Sequence, residues 1–379
     1  MTVPSLTGVR GAAALWVLLF HVQSFANGYG VPWLKSVPLL ADGWVGVDLF
    51  FVLSGFILMF VHEADFGQLR GRAVLHFAAL RFFRIYPLAT AVLILIALLV
   101  LADAGFAVWY RKTHDPADLT AMAFLRTLLL ATRWYPPFVG DWNQPVWSLS
   151  VEIIGYCALP FLAFGVTRMS SRLVLAILAA VCLIAPVALQ PVVGSRLDND
   201  IFGFAIIRMA GGFTGGVILC RLHRLTPAGF GRWQGVIADL ALVTLIAAML
   251  TPLETSATTL FFGALIYGIA SGRGAANWLF ARPVSMFFGR ISFPLYLIHA
   301  MVLIWGYYEL GAHGAAWPVT GLALGLYIPG IIFAAWGLHL LVERPSQRLG
   351  RAVARRLEPA AGSAGPRSAE TARKPASPG

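Results

Sequence analysis

Residues 46–60 read GVDLFFVLSGFILMF, an almost unbroken apolar segment that carries a single charge at Asp48. Similar segments recur along nearly the whole chain, and about 20 consecutive apolar residues are enough for a helix to cross a lipid bilayer. The 379 residues are 59% hydrophobic and 12% charged, whereas about a quarter of the residues of a soluble domain are charged. The sequence therefore predicts an all-α integral membrane protein embedded in the lipid bilayer, and it excludes a disordered, collagen-like or coiled-coil chain.

Ten apolar windows are candidate transmembrane helices. The weakest of them, residues 257–271, is short and contains Gly263 and Gly268. A further segment, residues 119–132, is a candidate interfacial or half-inserted helix. The ten predicted spans are residues 11–27, 45–62, 85–104, 145–166, 172–190, 203–222, 234–251, 257–271, 288–310 and 317–341.

The positive charges indicate which way the chain crosses the membrane. With ten spans, the loops on one side carry twelve arginines before the C-terminal segment, and the loops on the other side carry six lysines and arginines. Because Lys and Arg concentrate in cytoplasmic loops, both termini are predicted to be cytoplasmic. These loops also account for the net charge of +11, so no nucleic-acid partner is expected.

Two regions are expected along the chain, a membrane domain over residues 1–348 and a basic, disordered cytoplasmic tail over residues 349–379. The tail is rich in Ala, Pro, Gly, Ser and Arg and has no aromatic residue, a composition that cannot form a packed core. The first apolar segment is interpreted as a retained helix, because a cleaved signal peptide has no use for His21 in its apolar part. The three cysteines lie in apolar segments without metal-ligand spacing, so neither a metal site nor a disulfide framework is expected.

Charged or titratable residues inside apolar spans are costly and are therefore candidate functional residues. Arg10 and His21 are eleven residues apart, which places them about 20° apart on one helix face and about 16 Å apart along the helix axis. With a cytoplasmic N-terminus, Arg10 lies at the cytoplasmic mouth and His21 lies in the outer half of the bilayer. The alternative is an interfacial anchor at Arg10 and a histidine bonded to a neighbouring carbonyl group.

Two carboxylates are expected to converge on His21 from the outer half of the membrane. Asp48 lies near the outer start of the second span, and Glu152 lies at comparable depth in the fourth, within WSLSVE at residues 147–152. A carboxylate beside a histidine fixes the tautomer of the ring and raises its basicity, which general-base catalysis on a hydroxyl requires. His21, Asp48 and Glu152 are therefore the predicted catalytic residues. The alternative is a buried polar network that only holds helices together.

One face of the ninth span is predicted to line the same cavity. Ser292, Tyr296 and His299 are spaced at i, i+4 and i+7, so they share a helix face. Polar or aromatic residues of the second and fourth spans complete the predicted lining. The candidate cavity-lining residues are Ser54, Trp147, Ser150, Ser292, Tyr296 and His299.

Arginines gather where the third span begins. The sequence RFFR at residues 81–84 places Arg81 and Arg84 at i and i+3, at a depth similar to that of Arg10. Guanidinium groups bind phosphate through paired, charge-assisted hydrogen bonds, so these three arginines are predicted to hold a phosphorylated donor. Contact with lipid headgroups is the alternative for Arg81. Arg208 lies inside the sixth span, where it must pair or face water, and the sequence does not name its partner.

The predicted site has arginines at its cytoplasmic end, a histidine within the membrane and carboxylates at its outer end. This arrangement is typical of a protein that transfers a chemical group or protons across the membrane. Two classes of protein fit this description. One is an enzyme that moves a group from a phosphorylated cytoplasmic donor to an outward acceptor, and the other is a transporter whose His and Asp residues relay protons. Composition does not separate the two classes.

The chain resembles the acyltransferase 3 family, whose members are integral-membrane O-acyltransferases of bacterial surface polysaccharides, lipopolysaccharide and some macrolides. The resemblance rests on motifs in a fixed order over residues 6–348. They are Arg10 with His21, GVDLFFVLSGF at 46–56, RFFRIYP at 81–87, WSLSVE at 147–152, ISFPLYLIH at 291–299 and ERP at 343–345.

This resemblance implies acyl-CoA as co-substrate without a further cofactor, His21 as the catalytic residue, and Arg10 with the paired arginines as donor contacts. It implies transfer of an acyl group, with acetyl the expected one, to a hydroxyl of a cell-surface or lipid-linked glycan. The same motifs are compatible with an O-acyltransferase of a small molecule such as a macrolide. Phe293 and Gly155 depart from the family pattern, in which a tyrosine and a bulkier aromatic residue are common.

Overall fold

A computed structural model describes residues 3–25, 31–67, 69–113, 118–134, 141–193, 204–250, 258–312 and 317–357. These ranges are predominantly helical, and none of them contains a β-strand. The predicted all-α membrane fold is thereby confirmed.

Fifteen α-helices, α1 to α15, occur in the described ranges, and a five-residue π-helix, His339–Glu343, joins the last two. Short 3₁₀ turns connect some of the others. The helices are α1 Pro4–Ser24, α2 Pro38–Ala41, α3 Gly46–His62, α4 Gly71–Ala102, α5 Ala104–Thr113, α6 Ala121–Leu128, α7 Val146–Val166, α8 Arg172–Val193, α9 Ala205–Leu225, α10 Gly231–Met249, α11 Thr258–Ile269, α12 Ala275–Phe280, α13 Pro283–Ala312, α14 Trp317–Leu338 and α15 Arg344–Leu357.

Nine helical segments within the described ranges are long and apolar enough to cross a bilayer, and α11 is a shorter apolar helix. The 12 residues of α11 rise about 18 Å, against about 30 Å of hydrocarbon in a bilayer. This helix coincides with the weakest of the ten predicted spans. The candidate interfacial segment, residues 119–132, contains α6, whose eight residues are too few to cross the membrane.

Three helices extend well beyond the predicted spans, because an apolar window detects the lipid-facing part of a helix and misses its polar continuation. Helix α1 begins at Pro4 rather than residue 11. Helix α4 begins at Gly71 rather than residue 85, so Arg81 and Arg84 lie inside a helix of 32 residues instead of at its entry. Helix α15 ends at Leu357, so residues 349–357 of the predicted tail are helical, and residues 358–379 lie outside the described residues.

Two closely packed helix pairs, α1 with α13 and α3 with α9, form the centre of the bundle. At the α3–α9 crossing, a Cβ atom on Gly55 would collide with the carbonyl group of Phe213, and one on Gly216 would collide with that of Val52. Gly289 of α13 makes the same kind of contact with the backbone of α1. Small residues allow such close approach in membranes, and they fix the relative positions of the helices that carry most of the predicted site.

The segment before α7 is tied to the bundle by buried polar contacts. Arg133 Nη2 lies 2.6 Å from Asp141 Oδ2, and both side chains are buried. Asn143 Nδ2 donates a hydrogen bond of 3.0 Å to the carbonyl oxygen of Leu297 in α13. Burial raises the pKa of Asp141 to about 6, although the charge of Arg133 opposes that shift.

Helix α15 packs along α4 and has a basic outer face. Gly350 and Ala354 are buried, and Gly350 lies against the ring of Phe83 in α4. The opposite face carries five exposed arginines, Arg344, Arg348, Arg351, Arg355 and Arg356.

Candidate active site

A cavity of about 110 Å³ lies among α1, α3, α4, α7 and α13, and this volume is several times the roughly 10–15 Å³ that one water needs. The cavity brings together the three predicted donor arginines, one of the two predicted carboxylates and three of the predicted lining residues. Its apolar wall includes Phe293, one of the two departures from the family pattern. The polar lining residues are Arg10, Ser54, Arg81, Arg84, Ser148, Glu152, Tyr156, Ser292 and Tyr296.

Arg10 and Arg81 are half-buried in the cavity wall. Among the residues that the structure describes, neither guanidinium group forms a direct ion pair, and Arg81 Nε has no hydrogen-bond partner. A charged group in such a position favours a counter-charge supplied by a ligand. The cavity therefore has the chemistry of an anion-binding site.

Arg84 is held by Glu343, at the end of the π-helix. Arg84 Nη1 lies 3.5 Å from Glu343 Oε1. His339 Nδ1 contacts the other carboxylate oxygen of Glu343 at 2.6 Å, and Gln347 Nε2 donates to Oε1 at 2.9 Å. The glutamate of the ERP motif thus ends a π-helical turn, a feature frequent at functional sites, and positions an arginine of the cavity.

One face of α7 contributes Ser148, Glu152 and Tyr156, which are spaced at i, i+4 and i+8. Ser148 Oγ and the hydroxyl oxygen of Tyr296 are 2.8 Å apart, which links this face to α13. The hydroxyl group of Tyr156 contacts Glu152 and Ser54. Ser148 and Tyr156 are not among the residues predicted from the sequence, although their spacing from Glu152 is a signal that identifies them as sharing its helix face.

Asp48 is paired with Arg208 of α9. Its two carboxylate oxygens accept hydrogen bonds of 2.9 and 2.8 Å from Nε and Nη2 of Arg208. The guanidinium carbon lies 5.1 Å from the ring centroid of Trp44 and 5.4 Å from that of Trp147. Asp48 is therefore the buried partner of Arg208, which the sequence did not identify.

His21 contacts another histidine instead of a carboxylate. His21 Nδ1 lies 2.9 Å from the carbonyl oxygen of Val17 and 3.2 Å from His299 Nε2. The expected pairing of His21 with Asp48 or Glu152 is absent from the described contacts, because Asp48 is satisfied by Arg208 and Glu152 faces the cavity. That expectation, based on depth alone, was wrong about which side chains meet.

The histidine pair adjoins the cavity but is outside its lining. Tyr296 lines the cavity, and its ring centroid lies 5.8 Å from that of His299. The ring centroid of Phe50, which also lines the cavity, lies 5.9 Å from that of Tyr296. His299, predicted to line the cavity, is therefore placed behind Tyr296 and beside His21.

Trp147 and Ser150 were also predicted to line the cavity, and both face elsewhere. Trp147 packs against Phe51 and Arg208. Ser150 Oγ accepts a hydrogen bond of 3.0 Å from the backbone N–H of Arg133. Ser150 is two residues from Ser148, which is about 200° around the helix, so the two serines cannot share a face.

The second departure from the family pattern also has a structural explanation. A Cβ atom on Gly155 would meet Met209 and Phe213 of α9 at 3.0 and 3.2 Å. In this protein, the side chains of α9 therefore take up the space that a bulkier residue would need.

A bundle of apolar α-helices around an arginine-lined cavity defines an integral membrane protein with an internal site. A family model described as "Acyltransferase domain" matches residues 3–339, so the chain belongs to the acyltransferase 3 family. The predicted resemblance is thereby confirmed, and the protein is a membrane acyltransferase rather than a transporter.

Curated relatives match this chain, and one of them is named an acyltransferase. The chain is 28% identical to "Acyltransferase MdmB" of Streptomyces mycarofaciens over 388 residues, covering 91% of this chain and 92% of that protein. It is 31% identical to "Protein 2 in picA locus" of Rhizobium radiobacter over 192 residues, covering 48% of this chain and 92% of that protein. No solved structure matches the chain.

Proposed function

We propose that this membrane acyltransferase moves an acyl group, acetyl in the first instance, from acyl-CoA to a hydroxyl of a cell-surface or lipid-linked glycan. The observation that carries the proposal is the pair of half-buried guanidinium groups, Arg10 and Arg81, that line the cavity without a direct ion pair among the described residues. Acyl-CoA supplies the matching phosphates.

The donor is proposed to bind with its phosphates on Arg10, Arg81 and Arg84. Arg84 is already held by Glu343, so it presents a fixed guanidinium group, while Arg10 and Arg81 have their hydrogen-bonding capacity available for the ligand. The pantetheine arm then extends past Ser54 and Glu152 toward Tyr296. Glu152 faces these arginines, so we assign it to the donor arm rather than to the orientation of His21.

His21 is proposed as the general base for the acceptor. Its distance from Arg10 along α1, about 16 Å, is one that the extended pantetheine arm can bridge. The unprotonated ring nitrogen of His21 takes the proton of the acceptor hydroxyl as its oxygen attacks the thioester carbonyl carbon. The carbon–sulfur bond breaks, and the CoA thiolate leaves and takes up that proton, which gives an ester and free CoA.

A covalent route through an acyl-imidazole on His21 is the alternative. Direct attack is preferred because it needs a single transfer step and no covalent intermediate. The contacts of His21 Nδ1 leave on Nε2 the lone pair that either route requires. Ping-pong kinetics with an isolable acyl-enzyme would overturn this preference.

The loop charges favour a cytoplasmic position for both termini and for the arginine end of the cavity. Acyl-CoA is a cytoplasmic metabolite, so this orientation places the donor site where the donor is found. His21 then lies toward the outer half of a bacterial inner membrane, on the side of a surface-glycan acceptor.

The experiment that tests the function compares surface glycans from cells lacking the gene and complemented with wild type, His21→Ala or Arg72→Ala. Arg72 lies on the exposed start of α4, outside the cavity. Mass analysis before and after mild alkali should show an alkali-labile acyl ester with wild type and Arg72→Ala only.

Identical glycans in all strains would contradict the glycan acceptor. Release of free CoA by the purified protein with small-molecule alcohols would then identify an enzyme with a small-molecule acceptor. Absence of acyl-CoA turnover with every acceptor would contradict the acyl-CoA donor itself.

A further inference from the structure

We propose that His299 is a positioning residue, which accepts a hydrogen bond from His21 Nδ1–H and so leaves His21 Nε2 as the basic nitrogen. This inference rests on the proposed role of His21 as the base of the acyl transfer. It assigns to a neutral histidine the function that the sequence analysis expected of a carboxylate.

The positions of the two protons follow from the backbone groups around the rings. His299 Nδ1 lies 2.8 Å from the carbonyl oxygen of Tyr296, and His21 Nδ1 lies 2.9 Å from that of Val17. A carbonyl oxygen only accepts hydrogen bonds, so each Nδ1 must carry the hydrogen. An unprotonated Nδ1 in either ring would place two lone pairs against each other.

The contact between the rings then has only one direction. A neutral imidazole carries one N–H, so His299 Nε2 is an acceptor, and the nitrogen 3.2 Å away, His21 Nδ1, is its donor. His21 Nδ1–H is thus shared between Val17 and His299, and His21 Nε2 keeps its lone pair.

The environment makes His299 the fixed partner and His21 the reactive one. His299 is 1% exposed, and its Nδ1 contacts two carbonyl groups of its own helix, those of Leu295 and Tyr296. His21 is only half-buried. The two rings meet edge to face, with centroids 4.7 Å apart, across the closely packed α1–α13 pair.

The arrangement also stabilises the state that forms during the reaction. When Nε2 of His21 takes the acceptor proton, the ring becomes an imidazolium, and its bond to the lone pair of His299 becomes charge-assisted. The aspartate of a serine-protease triad orients its histidine and stabilises the imidazolium in the same way. Here the partner is uncharged, so no ion has to be buried to keep it in place.

The first test is kinetic and uses three substitutions of His299. Gln presents its side-chain oxygen where Nε2 of histidine lies, Asn reaches only the position of Nδ1, and Leu has no acceptor. We expect His299→Leu and His299→Asn to lower kcat about tenfold or more with the KM for acyl-CoA within about twofold of wild type, and His299→Gln to recover most of kcat. His223→Gln, in a remote part of α9, is the matched control and should leave both constants unchanged.

Equal losses in the Gln and Asn variants would overturn the proposal, because a space-filling role does not depend on where the acceptor atom lies. The Gln–Asn comparison also keeps the test informative if the Leu variant does not fold. A rise in KM without a change in kcat would equally overturn it, since it would place His299 in donor binding.

The second test does not depend on activity. Nitrogen-15 spectra of histidine-labelled protein in lipid, with His21→Gln and His299→Gln used for assignment, should show unprotonated Nε2 and protonated Nδ1 in both rings at neutral pH. A protonated His21 Nε2 would overturn the positioning role. The expected spectra together with full acyl transfer by His21→Ala would instead leave the histidine geometry intact and contradict the proposed function.

Discussion

Replacing Asp48 with Asn would leave the Arg208 guanidinium buried in the bundle without its counter-charge. The two side chains are 7% and 3% exposed and are joined by hydrogen bonds of 2.9 and 2.8 Å. Removing one partner of such a pair costs about 3–5 kcal/mol. The rings of Trp44 and Trp147 face the cation in wild type and variant alike, so they leave that cost unchanged. We therefore expect a loss of about 3–5 kcal/mol, a large share of the roughly 5–15 kcal/mol that stabilises a typical fold.

The double substitution Asp48→Asn with Arg208→Gln removes both charges and keeps two amide groups that can bond to each other. We expect it to lose only about 1 kcal/mol relative to wild type. The double variant should thus be more stable than Asp48→Asn alone, which is the pattern of a coupled pair in a double-mutant cycle. Arg224→Ala is the control. It removes an ion pair at a side chain 41% exposed together with a contact on the ring of Phe60, and it should cost about 1 kcal/mol or less.

Thermal unfolding of the purified protein in mild detergent, read as loss of monodisperse protein, measures these differences, and acyl transfer is measured on the folded fraction of each variant. If Asp48→Asn unfolds at the wild-type temperature, the ion pair does not stabilise the bundle, and the reasoning is refuted. If that variant is stable but inactive, Asp48 has a catalytic role in addition to its pairing, as the sequence analysis predicted.

Three further perturbations probe the donor site, the segment before α7 and the helix packing. Arg81→Ala should raise the KM for acyl-CoA by roughly 10- to 100-fold, because it loses a charge-assisted contact of about 1.5–3 kcal/mol. Arg72→Ala, on the exposed part of α4, should leave this KM unchanged. Initial-rate kinetics measure both variants, and an equal rise in KM for the two would indicate a general effect of surface charge. Burial raises the pKa of Asp141 from 3.8 to about 6, so its contribution to stability is fully present below about pH 4 and is lost as the pH rises through about 6. The unfolding temperature of the wild type should therefore fall over this pH range, and that of Asp141→Asn should not. An equal fall in Asp141→Asn would show that another group titrates. Gly55→Leu should abolish recovery of folded protein, because the carbonyl group of Phe213 occupies the space that the new side chain needs. Gly165→Leu is the control and should be recovered normally, because a Cβ atom on Gly165 meets nothing within 4 Å. Equal recovery of the two variants would contradict the close α3–α9 contact.

The sequence predicted those parts of the site that depend on one helix at a time. Arg10 and His21 share a face of α1 by spacing alone, and the RFFR motif places two arginines together wherever its helix begins. Ser292 and Tyr296 were assigned to the cavity from their separation of four residues, and both line it.

Contacts between helices could not be predicted in the same way, because the rotation of each helix about its axis is set by packing. Depth alone suggested that Asp48 reaches His21, but the α3–α9 glycine contacts turn Asp48 toward Arg208. One signal was available, since both residues are deep charges of opposite sign that require a partner. The histidine pair had no such signal, because a neutral histidine can be satisfied by many neighbours.

The basic face of α15 has a kinetic consequence. Five exposed arginines lie on a helix whose start, at Arg344, directly follows the glutamate that holds Arg84. A concentrated positive field beside a binding site increases the encounter rate of anionic ligands by 10-fold or more at low ionic strength and loses this effect as salt screens it. With acyl-CoA as the donor, the rate at which the protein binds it at low concentration depends on the arginines of α15, which do not contact the reacting atoms.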